Sequence, residues 1–167
     1  HLSSLLSTGA LADNEPWQNP QVNEMNREPM HDHFTPFTNE ANALKQRALP
    51  ADVRFDVNSA TERRITLDGT WKFLFSKNND LCPKDFHKPG FSTRKWSKIE
   101  VPGSWELQGF DAPIYTDTRY PFPPNPPYVP TDYNPVGAYI REFTVPASWG
   151  GMDIFHDIEG VESAYFV

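Results

Sequence analysis

The sequence predicts an all-β sandwich, and three observations carry that prediction. Short apolar segments recur from Ile65 onward with turn residues between them. Residues 137–145 alternate strictly, Tyr139, Arg141, Phe143 and Val145 on one face against Ala138, Ile140, Glu142 and Thr144 on the other. Only two short stretches read as helix, so little else is available to cover a sheet than a second sheet.

The elements follow in chain order. Residues 1–12 (HLSSLLSTGALA) have the short apolar run and small-x-small ending of a secretory signal tail, which predicts a periplasmic or secreted protein. A disordered or weakly helical start to a cytoplasmic protein is the other reading. Residues 13–60 are polar and broken by Pro16, Pro20, Pro29, Pro36 and Pro50, so they predict an extended segment. Within it 39–47 predicts a short helix, with Asn39 as its cap and Arg47 at its end. Residues 65–67 and 71–75 read as a hairpin around Asp68 and Gly69, since Asp-Gly takes positive φ readily. A loop at 77–92 follows, with one helical turn near 83–87, and then a strand at 95–101 carrying Trp96, Ile99 and Val101.

Residues 101–135 contain nine prolines, which remove backbone donors and keep most of the stretch out of helices and central strands. Trp105, Phe110, Tyr115, Tyr120, Phe122 and Tyr128 are set among them. A connection so stiff and aromatic predicts an ordered loop laid over the scaffold and suited to binding. After the strand at 137–145, a turn at 146–151 precedes two more strands, 152–158 and 161–167, joined at Glu159 and Gly160. The last of these stops without a cap or polar tail. That predicts a piece of a longer polypeptide, which folds poorly alone because strand edges and apolar surface are left uncovered.

At 167 residues one domain is expected. A net charge of −7 without a basic block argues against nucleic acid or an anionic membrane as partner. No apolar run approaches the roughly 18 residues of a membrane span. Cys82 is the single cysteine, so neither an intrachain disulfide nor a cysteine metal cluster is expected. The 5 Trp and 6 Tyr suit a β core or a sugar-stacking surface, the core being the commoner fate of any one Trp.

Candidate chemistry is sparse. Glycosidic acid/base work needs two carboxylates at a set separation, and Glu106, Asp111 and Asp117 are the acids in the aromatic loop. Each also suits an ordinary turn. His31 and His33 make half a metal site whose other ligands are not in view. No phosphate loop, nucleophile elbow or Cys/His pairing occurs, so no catalytic or metal-binding residue is predicted.

Read together, several short motifs point further. WQNPQV at 17–22 with Asn26 and Arg27 is followed by LDGTWKF at 67–73, VPGSWELQG at 101–109 and DAPIYT at 111–116. Tyr120 and Pro121 come next, then NPP at 125–127, VP at 129–130, GAY at 137–139 and GVESA at 160–164. In that order they resemble the opening of the large family 2 β-galactosidases. The resemblance implies that 61–167 is an incomplete jelly-roll, galactose-binding-like domain, ahead of an immunoglobulin-like domain and a (β/α)₈ barrel. The barrel would supply the acid/base and nucleophile glutamates of a retaining β-galactosidase acting on terminal β-D-galactosides. This piece would brace the barrel and lend a loop to its active-site rim, and alone it would be inactive.

By the same resemblance, Asp117 stands where the family places an Asn that hydrogen-bonds the galactosyl group. An ionised Asp accepts from hydroxyls and cannot donate, and a plain loop cap is the competing role. Tyr115, Tyr120 and Trp105 are the candidate rim residues. Some members hold a structural Mg²⁺ through residues flanking the first Trp. Asn19 and Val22 match that set, but Pro16 replaces the Asp, with Glu15 one place off, so no metal or other cofactor is predicted in this chain; Mg²⁺ and Na⁺ remain expectations for the whole enzyme. The resemblance also implies homo-oligomers. Two alternatives stay open: a stand-alone carbohydrate-binding module, and the first domain of a related β-glucuronidase or β-mannosidase.

Overall fold

The structure, a computed structural model, describes residues 16–31, 34–50, 63–113, 122–162 and 164–167. The signal-like start at 1–12 lies outside them. Strand β1 (Gly69–Ser76) is central, flanked by β2 (Ser97–Val101) and β3 (Val136–Ile140) in the order β2-β1-β3. Both pairings are antiparallel, with Trp71 opposite Ile99, and Phe73 opposite Ser97 on one side and Tyr139 on the other. The sheet is open, and helix is scarce, as expected of an all-β chain with a jelly-roll-like domain.

Residues opposite one another in the ladder share a face. Trp71, Phe73 and Phe75 therefore lie on the same side as Ile99 and Tyr139. Phe73 is 0% exposed and Ile99 2%, and this side holds the core. The Phe73 ring sits 4.8 Å from Tyr139 and 4.7 Å, edge-on, from Phe110. On the reverse side, Ala138 is buried opposite Leu74. The exposed rows there carry a cross-strand Lys72–Glu142 ion pair at 2.7 Å, and the Thr70 hydroxyl donates to Glu100 at 2.5 Å.

The predicted helix forms as α1 (Glu40–Arg47), with Asn39 extended and its Oδ1 accepting from the Asn42 N–H at 3.0 Å. None of its residues is buried. Between β1 and β2, the helical turn expected near 83–87 falls earlier, as a 3₁₀ turn at Asn79–Leu81. Asn78 is the reason: its side chain accepts from the Leu81 N–H at 3.1 Å and starts the turn there. Trp96 then packs against Phe86 and Phe91 at 5.7 and 6.0 Å.

Three expectations about strands are corrected. The hairpin at Asp68–Gly69 does not form. β2 pairs with Gly69–Phe73 and β3 with Lys72–Ser76, residues 65–67 joining neither ladder, and the Leu67 carbonyl accepts from the Trp71 indole N–H at 2.7 Å. Gly69, at φ +114, instead opens β1. The strand expected at 137–145 ends at Ile140, because the Arg141 guanidinium donates to the Thr70 carbonyl at 3.0 Å and displaces the ladder. Residues 152–158 and 161–167 are not strands among the described residues. Their apolar alternation is present, but a strand needs a paired edge to exist, and Phe155, Phe166 and Val167 are exposed.

Candidate functional site

The Pro-rich connection leaves the sheet in two arms, each fastened to a different strand. In the first arm, Gln108 turns its side-chain amide back onto β2. Its Oε1 accepts from the Glu100 N–H at 2.8 Å, and its Nε2 donates to the Glu100 carbonyl at 2.9 Å. Gly103 makes this approach possible, since a Cβ there would sit 2.6 Å from Gln108 Nε2. Residues Glu106–Gln108 form a 3₁₀ turn closed by Gly109 at φ +89, and the Ser104 hydroxyl donates to the Glu106 carboxylate.

Trp105 begins that turn and lies half-buried over β1, 6.1 Å from Phe73 and 5.8 Å, edge-on, from Phe75. Its ring fits because β3 presents Gly137 beneath it: a Cβ there would lie 2.6 Å from the indole. The indole Nε1–H is buried without an acceptor among the described residues.

The second arm, 122–135, is fixed to the end of β1. The Asn134 N–H donates to the Lys77 carbonyl at 3.0 Å, and Asn78 Nδ2 donates to the Asp132 carbonyl at 3.2 Å. Between the arms, the Tyr133 hydroxyl donates to Asp111 Oδ1 at 2.5 Å. That bond, with some burial and the carboxylate charge, pushes the Tyr133 phenol up to about 12. Beside the second arm an open groove of about 490 Å³ is lined by Gln18, Asn125, Tyr128 and residues 129–132.

Of the residues singled out by sequence, Tyr115, Asp117 and Tyr120 lie outside the described residues, as does His33. Trp105 is placed in the aromatic packing on the core side of the sheet. Asp111 meets Tyr133, Glu106 meets Ser104, and His31 stacks near Phe34 at 5.2 Å. Asn19 Oδ1 accepts from the Gln21 N–H at 3.0 Å, and Val22 donates its own N–H to the Asn19 carbonyl. Among the described residues no three His, Cys, Asp or Glu side chains gather as a metal site. Nor is any helix among the described residues long and apolar enough to cross a membrane.

Gln108, Gly137 and Tyr133 are the residues that sequence reasoning missed. Gly137 carried a usable signal, a glycine inside a strand pattern. The other two act through contacts 8 and 22 residues away, which no local pattern marks.

The stretch holding the three strands and both arms, residues 65–167, matches the family model described as "Glycosyl hydrolases family 2, sugar binding domain". The chain belongs to glycosyl hydrolase family 2. Within that family it is similar to a protein named beta-galactosidase from Priestia megaterium, 39% identical over 89% of this chain. Beta-galactosidases of Yersinia pestis and Yersinia pseudotuberculosis are each 34% identical over 97% of it. The chain spans 14% of the length of each of these relatives. The family 2 match thus takes in the Gln108 clamp, the Trp105–Gly137 contact and the Asp111–Tyr133 bond.

Proposed function

We propose that this chain is the loop-bearing sugar-binding domain of a retaining β-galactosidase that hydrolyses terminal β-D-galactosides. The observation that carries the reading is its similarity, along nearly its whole length, to beta-galactosidases about seven times as long. In such an enzyme two carboxylates from a barrel elsewhere in the polypeptide do the bond chemistry. One protonates the leaving oxygen and the other forms the glycosyl-enzyme bond that water then cleaves. This domain braces the barrel and contributes recognition through the segment between its two fastened arms. Asp117, in that segment, accepts a hydrogen bond from a galactosyl hydroxyl.

The test is Asp117→Ala in the intact polypeptide, assayed on an aryl β-galactoside. Loss of one sugar hydrogen bond is expected to lower kcat/KM about five- to tenfold with the melting temperature unchanged. A value within about twofold of wild type would rule out a transition-state contact at this residue.

A further inference from the structure

We propose that Asp111 and Tyr133 are a positioning pair that fastens the neck of the loop running between them. The inference builds on the reading that this loop serves a sugar site. Both partners stand beside residues already tied to the sheet. Phe110 is wedged edge-on against the buried Phe73 at 4.7 Å, and its N–H donates to the Trp105 carbonyl at 3.0 Å. Asn134, next to Tyr133, donates to the Lys77 carbonyl at the end of β1, and the Tyr133 N–H donates to Asp132 Oδ1 at 2.9 Å.

The backbone is shaped to bring the two side chains together. Gly109 at φ +89 and Asp111 at φ +66 turn the first arm back on itself. Among non-glycine residues, Asp and Asn are the ones that enter this region readily. A phenol donating to a carboxylate at 2.5 Å is a charge-assisted bond between groups held in place beforehand. Opening it leaves each arm held by its contacts to the sheet, Phe110 on Phe73 and Asn134 on Lys77, and removes a direct tie between them.

The experiment compares Tyr133→Phe, Asp111→Ala, Asp111→Asn and the double variant Tyr133→Phe/Asp111→Ala in the intact polypeptide, by amide hydrogen exchange over residues 122–131 without substrate. Tyr133→Phe and Asp111→Ala are each expected to speed exchange there about threefold. The double variant should be no faster than either, and Asp111→Asn, which keeps an acceptor and tolerates positive φ but loses the charge, should fall between wild type and Asp111→Ala. Unchanged exchange in Tyr133→Phe, or additive effects in the double variant, overturns the pair. The positioning role is read separately: kcat/KM should fall about threefold in Tyr133→Phe, with the melting temperature within about 2 °C of wild type. An unchanged kcat/KM, where Asp117→Ala is costly, removes that role. Exchange is measured without sugar, so it tests the pair whether or not Asp117 contacts the galactosyl group.

Discussion

Phe73 shows how much one side chain organises here. It is fully buried, pairs across both neighbouring strands, and meets Tyr139, Phe110 and Trp105. Phe73→Ala removes the ring that sheet and loop share, and the expected loss is about 3–5 kcal/mol by urea unfolding of the intact polypeptide. The opposite error is available at Gly137. Adding a methyl there drives a carbon to 2.6 Å from the Trp105 ring, so Gly137→Ala should destabilise by about 1–3 kcal/mol and shift tryptophan emission. Tyr133 gives a pH dependence. Its folded pKa is raised to about 12, so the bond to Asp111 contributes fully below the ordinary phenol value of about 10. That contribution is lost as pH rises through about 12. Ultraviolet titration should show a late-ionising tyrosine that Tyr133→Phe removes. Glu142 runs the other way: the bond from Lys72 and its charge lower the carboxyl, so this contribution fades only as pH falls through that lowered value.

At the scale of elements, the Gln108 side chain does for Glu100 what a neighbouring strand would do. Gln108→Ala leaves the Glu100 N–H and carbonyl without those partners and should cost about 1–2 kcal/mol by denaturant unfolding. The strand segments at 71–75 and 95–101 and the Asn39 cap were legible in sequence because each is a local pattern: apolar residues at strand spacing, or one side chain bonding three residues on. The second strand nevertheless starts two residues later, at Ser97. Strand order was not legible. Asp68 and Gly69 have the chemistry of a hairpin turn, and nothing local reveals that both edges of β1 will be taken by segments about 30 and 65 residues away. Arg141 misled in the same way. Its place in the alternation suggested a longer strand, whereas its guanidinium reaches across to Thr70 and stops the ladder. The candidate site divides likewise: the aromatic, proline-rich character of the loop is written in composition, while its fastenings are contacts between distant residues.

For the whole molecule, the contrast is between a small, well-covered centre and a large uncovered periphery. Phe143, Met152, Ile154, Phe155, Tyr165, Phe166 and Val167 are all exposed, in the stretch where paired strands were expected. Large apolar side chains exposed in this number within one stretch favour association with another surface. The 167-residue chain by itself is therefore expected to self-associate and to bind a hydrophobic dye. A sharp monomer peak in light scattering with a cooperative melt would contradict this.

The amide of Gln108 also gives the sheet a direction. Its β2 border is sealed at Glu100 by a side chain of its own loop, whereas the outer border of β3 has no such plug among the described residues. A strand approaching β2 at Glu100 would first have to evict that amide, because both outward-facing backbone groups there are already spoken for.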